Sequence, residues 1–196
     1  MKKGVTGKLL SHTCLEILFL SFLLFIFALL VREYVLKDYP KKEIAEQRQK
    51  QYKQDQISKF IRYRISTMPI EYSIIIAQNI IGVSNEYKVP IDLLVGIIEK
   101  ESCWNASVIS SAGARGLMQI LQGETVTVDT EQVHNIHYNL SIGSKILNYK
   151  IKAANGDLNL ALSNYSGGAI DYTNDVLVCM GRWILFQQTI TRDDNE

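Results

Sequence analysis

The chain begins with a basic segment that is followed by a long apolar run. Residues 1–12 carry three lysines and no acidic residue, and residues 17–31 are uncharged and rich in Leu and Phe. With Glu16 and Arg32 reaching toward the polar interface, the run approaches the roughly 20 residues that span a bilayer. We expect a cytoplasmic tail over 1–12 and a membrane anchor over 13–31. A cleaved signal peptide is the alternative, although no small-residue cleavage site follows.

The remaining chain divides by polarity into a stalk, a domain and a tail. Residues 32–60 are dominated by Lys, Gln and Glu and lack Gly, which predicts a solvated helical stalk. Residues 61–188 contain apolar segments at helical spacing, and residues 189–196 predict a frayed polar tail. We therefore expect one domain over 61–188, carried by the stalk.

Helix start and stop signals divide this domain into short helices. Pro69 and Pro90 can each open a helix at its first turn. Later segments predict a helix over 139–154 that ends at Asn155-Gly156, a short helix capped by Asp157, and a last helix over 169–186. Residues 122–130 fit either a loop or a short β segment. The predicted fold class is mainly α, a packed bundle of short helices.

Composition narrows the function classes. The 196 residues carry a net charge of +1, which gives no electrostatic argument for nucleic acid. Cys103 and Cys179 could form a disulfide if the domain lies outside the cytoplasm, but the sequence does not show that their Cα atoms approach each other. His134 and His137 have metal-like spacing without a third ligand, so we interpret them as surface residues and expect neither a metal nor another cofactor.

Glu101 occupies a position where the helical pattern calls for an apolar residue. Leu94, Ile97 and Ile98 form one stripe, Glu101 continues it, and Glu99 and Lys100 are expected to point away from it. A carboxylate held against an apolar wall has a raised pKa and can donate a proton near neutrality. The alternative is a helix-end Glu that pairs with an Arg or turns to solvent.

A run of small residues follows this helix. Residues 110–116 include two glycines, which suits a backbone that turns sharply or lies close to a ligand. Gln119 comes soon after, and its amide can both donate to and accept from the polar groups of a sugar. The stretch therefore predicts a binding loop beside Glu101.

The spacing of these residues resembles that of the SLT-type lytic transglycosylases, a branch of the goose-lysozyme-like fold. Their pattern is E-S-x-x-N, a Ser nine residues after the Glu, and then G-A-x-G-L-M-Q-I. The matching residues are Glu101, Ser102, Asn105, Ser110, Gly113, Ala114, Gly116, Leu117, Met118, Gln119 and Ile120. Segments 139–147 and 157–165 match further family patterns, with Ser166 and Gly167 replacing the usual Asn and Ala. The resemblance covers roughly residues 70–180.

The resemblance implies a reaction with one catalytic carboxylate. Glu101 would protonate the glycosidic oxygen between N-acetylmuramic acid and N-acetylglucosamine and then accept the proton of the muramoyl C6 hydroxyl, which closes a 1,6-anhydro ring. Asp129, Glu131 and Asp157 are better interpreted as loop charges and a helix cap. The expected substrate-binding residues are Ser102, Met118, Gln119, Tyr165 and Tyr172. Structural alternatives exist for several of them: Ser102 could bond backbone, and Met118 and Tyr165 could simply pack.

Two other functions remain open from the sequence. One is a lysozyme-type muramidase that delivers water on the same scaffold, and the other is an inactive peptidoglycan-binding assembly protein. The expected partners are peptidoglycan glycan strands, the membrane through residues 13–31 and, by analogy alone, a secretion, conjugation or pilus apparatus. The expected location is the inner membrane, with a single pass and the catalytic domain on the periplasmic side.

Overall fold

The computed structural model describes residues 12–122 and 128–193, and within them the regular structure is helical. The helices are α1 (His12–Arg64), α2 (Ile70–Tyr87), α3 (Ile91–Ser102), α4 (Ile136–Ala153), α5 (Leu158–Tyr165) and α6 (Tyr172–Asp193). The β pairing in these residues consists of two isolated bridges, from Arg115 to Ile109 and to Ile120. The mainly α prediction is confirmed. The chain divides into two compact units after Gln49.

The first unit contains an apolar helical segment near the N-terminus. Leu15–Val35 has 21 residues and a mean hydropathy of 2.4, and none of it is buried against other parts of the protein. By length and composition this segment can cross a membrane, a property that a single-pass anchor shares with a signal sequence. The predicted anchor at 13–31 overlaps this segment.

The second unit begins at Lys50 and includes the end of α1. Ile57, Phe60 and Ile61 are completely buried. The Phe60 ring meets the rings of Trp183 and Trp104 edge-on, at centroid distances of 5.2 Å and 6.1 Å. Apolar residues at positions i, i+3 and i+4 give this end of the helix a core-facing side. The compact unit therefore starts earlier than the expected boundary at 60/61, and the last turns of the predicted stalk belong to its core.

The central helix of the domain is α3. Pro69 and Pro90 occupy the N-cap positions of α2 and α3, as their sequence positions suggested. Residues 93–98 of α3 are all buried, and the helix packs along α6. Gly96 permits this approach, because a Cβ there would lie 3.0 Å from the carbonyl oxygen of Val176.

Local caps define the later helices. Asp157 accepts the Leu160 N–H at 3.0 Å, and Asn155 and Gly156 end α4 with φ values of 52° and 84°. The last helix, α6, starts at Tyr172 rather than at residue 169, because Asp171 adopts a φ of 61°. It continues to Asp193, so residues 189–193 of the predicted frayed tail are helical. In the segment predicted as loop or β, residues 123–127 lie outside the described part of the chain.

Candidate active site

A groove passes beside the C-terminal end of α3 and contains Glu101. It provides about 390 Å³ of space, within the range of about 300–1,000 Å³ typical of ligand sites. The loop after α3, one face of α4, the end of α5 and the start of α6 form its walls. The lining residues that matter for the chemistry are Lys100, Glu101, Gln119, Lys150, Tyr165 and Tyr172.

The Glu101 carboxyl group is half-buried and hydrogen-bonded. The hydroxyl of Tyr172, in the first turn of α6, donates to Oε1 of Glu101 at 2.5 Å. Burial raises the pKa of Glu101, and the Tyr172 hydrogen bond and the positive charge of Lys100 offset only part of that rise. The net effect favours a protonated acid at a higher pH than for a solvated glutamate, which is the state required of a proton donor.

A second tyrosine supports the groove from α5. The hydroxyl of Tyr165 donates to the carbonyl oxygen of Met118 at 3.0 Å and does not bond Glu101 directly. Burial, followed by the charge of Glu101, raises the pKa of Tyr165 well above its usual value. Burial also raises the pKa of Tyr172, with further contributions from Tyr165 and Glu101. Both phenols therefore remain protonated and act as donors.

The small-residue run forms a tight loop held by its own backbone. Two hydrogen bonds join Ser110 and Ala114: the Ala114 N–H donates to the Ser110 Oγ at 3.0 Å, and the Ser110 N–H donates to the Ala114 carbonyl oxygen at 2.9 Å. Gly116 has a φ of 78°, and a Cβ there would lie 2.8 Å from the carbonyl oxygen of Val133. The glycine is required because the two backbones approach so closely.

Asn139 of α4 fixes this loop to the rest of the domain. Its Oδ1 accepts the Met118 N–H at 2.8 Å, while its Nδ2 donates to the carbonyls of Arg115 and Val133, both at 2.9 Å. The sequence pattern included Asn139 without indicating this role. Its near-complete burial and three bonds make it the main connection between α4 and the binding loop.

Gln119 and Met118 have different environments. Gln119 lines the groove in a left-handed backbone conformation, and its Nε2 donates to the carbonyls of Gly116 at 2.9 Å and Val108 at 3.3 Å. Met118 is completely buried and lies against Gly143, where a Cβ would be 2.5 Å from the Met118 Sδ. The Met118 side chain therefore packs beneath the groove, which is the alternative considered for it beside a substrate-binding role.

The structure also differs from what was expected of Ser102 as a substrate-binding residue and of the two cysteines as a possible disulfide. Ser102 is buried, does not line the groove, and donates from Oγ to the Ile98 carbonyl at 3.0 Å. This is the backbone bond considered as its alternative. Cys103 and Cys179 are free thiols, so the possible disulfide is absent. Cys103 is exposed in the left-handed C-cap of α3, whereas Cys179 is buried on α6 beside Arg182.

Glu99 is buried, which the helical pattern of α3 did not indicate. Only 4% of it is exposed, and its Oε1 accepts from Nε of Arg64 at 2.7 Å and from Nη1 of Arg182 at 3.2 Å. The pattern within α3 cannot show this burial, because the two arginines that pair with Glu99 lie on α1 and α6. This ion-pair cluster joins the last residue of α1 to α3, two positions before Glu101.

Three further polar residues of the domain, Lys100, His134 and His137, each have a partner. Lys100 forms an ion pair with Asp175 of α6. Nδ1 of His134 lies 2.9 Å from the Ala106 carbonyl oxygen, and Nδ1 of His137 lies 3.0 Å from Oδ1 of Asn79. Within residues 12–122 and 128–193, no three His, Cys, Asp or Glu side chains come together as a metal site.

Comparison with known proteins places this site in a family. The sequence model of the transglycosylase SLT domain matches residues 78–176, which are 99 of the 196 residues and include every lining residue named above. A solved complex of the 70-kDa soluble lytic transglycosylase with bulgecin A is similar at 19% identity and a TM-score of 0.44. The match covers 65% of this chain and 25% of that one, so this chain spans about a quarter of that protein's length. The family predicted from the sequence is confirmed: the chain belongs to the transglycosylase SLT domain family.

Proposed function

We propose that this protein is a peptidoglycan lytic transglycosylase in which Glu101 is both general acid and general base. The observation that carries the proposal is the half-buried Glu101 carboxyl group, with a raised pKa, in a groove beside the Tyr172 hydroxyl. Of the groove-lining residues within the described part of the chain, Glu101 alone has a carboxylate. A single acid suits a reaction in which the substrate supplies its own nucleophile, whereas most glycosidases use two carboxylates.

The reaction proceeds in two proton transfers through the same side chain. Protonated Glu101 gives its proton to the glycosidic oxygen as the bond from the muramoyl C1 to that oxygen breaks. The resulting carboxylate then takes the proton of the C6 hydroxyl while O6 bonds to C1, which forms the 1,6-anhydro ring and consumes no water. The Tyr172 hydroxyl stabilises the carboxylate between these steps, because a hydrogen bond to the charged form lowers its free energy.

The other site residues bind the sugar or hold the loop beside Glu101 in position. Both amide hydrogens of Gln119 are directed at the loop's own carbonyls, so the group that remains for a sugar hydroxyl or N-acetyl N–H is its Oε1. Tyr165 holds the Met118 carbonyl and thereby the turn that carries Gln119. Ser102 and Met118 act from beneath the groove, by fixing the end of α3 and the binding loop.

Digestion of purified sacculi with the detergent-solubilised full chain tests the reaction. Mass spectrometry of the products is expected to show anhydro ends, which lack one water relative to ordinary reducing ends. Glu101→Gln is expected to reduce product release by about 10²- to 10⁴-fold, the typical contribution of general acid–base catalysis. The control is Glu131→Gln, which alters an exposed loop carboxylate.

Each competing function has its own result in this experiment. Reducing ends in place of anhydro ends would identify a muramidase. Sacculus binding without any released glycan would identify an assembly protein, and undiminished release by Glu101→Gln would overturn the role of Glu101.

For the cellular location, we propose a single-pass anchor in the inner membrane with the domain on the periplasmic side. The apolar helix Leu15–Val35 and the preceding Lys2, Lys3 and Lys8 support this orientation. Full-length protein in the membrane fraction, with a C-terminal tag digested by protease added to spheroplasts, is the expected result. An N-terminus that maps downstream of residue 35 would indicate cleavage instead. Local opening of the wall for a secretion, conjugation or pilus apparatus remains a proposal by analogy.

A further inference from the structure

The last helix, α6, is apolar on two opposite sides. The side turned to the core carries four buried residues, Tyr172, Val176, Cys179 and Trp183. Between residues 176 and 186 the one charged residue is Arg182, and its guanidinium group is paired with Glu99. A helix that is apolar all round is normally covered all round. Residues 12–122 and 128–193 cover one side of α6 and leave the opposite side exposed.

The exposed side of α6 is a row of seven uncharged residues that share one helix face, because they are spaced three, four and seven positions apart. These residues are Asn174, Leu177, Val178, Gly181, Ile184, Leu185 and Gln188. The four large aliphatic side chains among them are between 41% and 64% exposed. Among the described residues, a Cβ built on Gly181 would have open space around it. We call this row the α6 outer face.

The α6 outer face has the same pattern in both directions from Gly181. Large aliphatic residues lie three and four positions to either side, and an amide lies seven positions to either side. A second copy of α6 can therefore pack against the first in the antiparallel direction, with the two Gly181 residues in contact. Leu177 then meets Leu185 of the second copy, and Asn174 meets Gln188. A two-fold contact requires this self-complementarity, and this one buries no unpaired charge.

We propose that the α6 outer faces of two copies pack antiparallel and form a two-fold dimer of this chain. A membrane surface fits this face less well, because helices that lie on membranes carry lysine and arginine beside their apolar side. The basic residue at the centre of α6, Arg182, is already bound to Glu99. Tyr172 lies on the opposite, buried side of α6, so pairing leaves the groove beside Glu101 open. Four turns of one helix make a small interface, so we expect single chains and dimers in equilibrium.

Cross-linking of the full chain in lipid vesicles tests the pairing and its direction. In a Cys14→Ser, Cys103→Ser background, differently tagged chains with Asn174→Cys or Gln188→Cys are mixed and treated with a short thiol cross-linker. The two kinds of chain are expected to cross-link to each other. Chains with Asn174→Cys are not expected to cross-link among themselves, because an antiparallel pair separates the two positions by about 21 Å. The background yield is measured with Lys152→Cys, an exposed position on α4.

Charge substitutions on the α6 outer face test which residues meet. Leu185→Lys is expected to raise the dissociation constant of the dimer by about 10- to 100-fold, because pairing would bury an unpaired ammonium group. The dissociation constant is measured from the cross-linked fraction at decreasing ratios of protein to lipid. Adding Leu177→Glu to Leu185→Lys is expected to restore pairing, because the two side chains face each other across the two-fold axis. The matched control is Leu160→Lys, which changes an exposed leucine of α5 and is expected to leave pairing unchanged.

Three results would overturn the inference. The first is a cross-linking yield between Asn174→Cys and Gln188→Cys chains no higher than the background yield. The second is cross-linking among Asn174→Cys chains, which would indicate a parallel contact. The third is an equal loss of pairing in Leu185→Lys and Leu160→Lys.

Discussion

The hydroxyl of Tyr172 lies 2.5 Å from Oε1 of Glu101, although 71 positions separate the two residues in the chain. The contact is made because α3 and α6 pack side by side, with Glu101 in the last turn of one and Tyr172 in the first turn of the other. Burial raises the pKa of Glu101 and this hydrogen bond lowers it. The two helices together therefore set the pKa of the Glu101 carboxyl group.

Removing the Tyr172 hydroxyl is expected to move the pH profile in a defined direction. In Tyr172→Phe, the pKa of Glu101 rises further because the carboxylate loses a donor. In the proposed reaction, activity requires protonated Glu101 and falls as the pH rises through that pKa, so the descending limb of kcat/KM is expected to move to higher pH. Loss of the donor is also expected to lower kcat by about 10- to 100-fold, as for loss of a hydrogen bond to a charged group. Both effects are measured from product release as a function of pH.

Tyr165→Phe is the control for this prediction. It removes a hydroxyl that bonds the Met118 carbonyl and not the Glu101 carboxylate. Activity is expected to decrease because the turn that carries Gln119 shifts. The descending limb of the pH profile is expected to stay at the same pH. If the descending limb moved in Tyr165→Phe and not in Tyr172→Phe, this would contradict the assignment of Tyr172 as the donor that lowers the pKa of Glu101.

Local sequence signals predicted the features that depend on neighbouring residues. Pro69, Pro90 and Asp157 begin helices because a fixed φ or a capping side chain acts within one turn. The family spacing also located the groove residues Glu101, Gln119 and Tyr172, although their contacts needed the structure.

Features that depend on residues far away along the chain were not predicted from the sequence. Glu99 is buried because Arg64 and Arg182 arrive from helices 35 positions before and 83 positions after it. A repeating pattern within α3 carries no information about those helices. Met118 and Ser102 show the same limit, since a motif indicates where the backbone runs and not which side of it faces the ligand.

Two helical glycines are expected to respond in opposite ways to alanine. Gly82 of α2 has open space where a Cβ would be added, so Gly82→Ala is expected to raise the free energy of unfolding by about 0.5–1 kcal/mol. A Cβ on Gly143 of α4 would lie 2.5 Å from the Met118 Sδ and 2.8 Å from its Cβ. Gly143→Ala is expected to lower the free energy of unfolding by about 1–3 kcal/mol, as overpacking does.

Urea unfolding of the two variants measures these changes. Since Met118 precedes Gln119, Gly143→Ala is also expected to raise KM for sacculi, whereas Gly82→Ala leaves KM unchanged. Equal stabilisation by both alanines would show that α4 does not press against the binding loop.

The two arginines on Glu99 are expected to compensate for each other. Arg64→Met or Arg182→Met alone leaves the carboxylate with one partner. Each is expected to lower the free energy of unfolding by about 1 kcal/mol, which is the upper end of the range for a partly exposed ion pair. The double variant leaves a buried carboxylate unpaired and is expected to cost about 3–5 kcal/mol. A double-mutant cycle measured by urea unfolding gives the coupling. If the double variant lost only the sum of the two single losses in the free energy of unfolding, this would contradict the conclusion that both arginines share the Glu99 carboxylate.

The end of α1 is expected to be necessary for the stability of the domain. Phe60→Ala removes a completely buried ring between Trp104 and Trp183 and is expected to cost about 3–5 kcal/mol. Tyr52→Ala, an exposed position on the same helix, is expected to change stability by less than about 0.5 kcal/mol.

Truncation tests the same feature. A chain that starts at Lys50 keeps Ile57 and Phe60 and is expected to unfold cooperatively on heating. A chain that starts at Ile61 loses both and is expected to lack a thermal transition, because these losses approach the whole stability of a typical domain. A cooperative transition in the shorter chain would place α1 outside the core.

The three hydrogen bonds of Asn139 make the chemical identity of one side-chain amide critical for the loop that carries Met118 and Gln119. Its Nδ2 supplies hydrogens to two carbonyl oxygens, and its Oδ1 receives the Met118 N–H. Replacement by aspartate would keep the size of the side chain and put an oxygen in place of the donor, facing the Arg115 and Val133 carbonyls. A change of one atom on α4 would then release the loop that carries Gln119, while the Glu101 side chain itself remained unaltered.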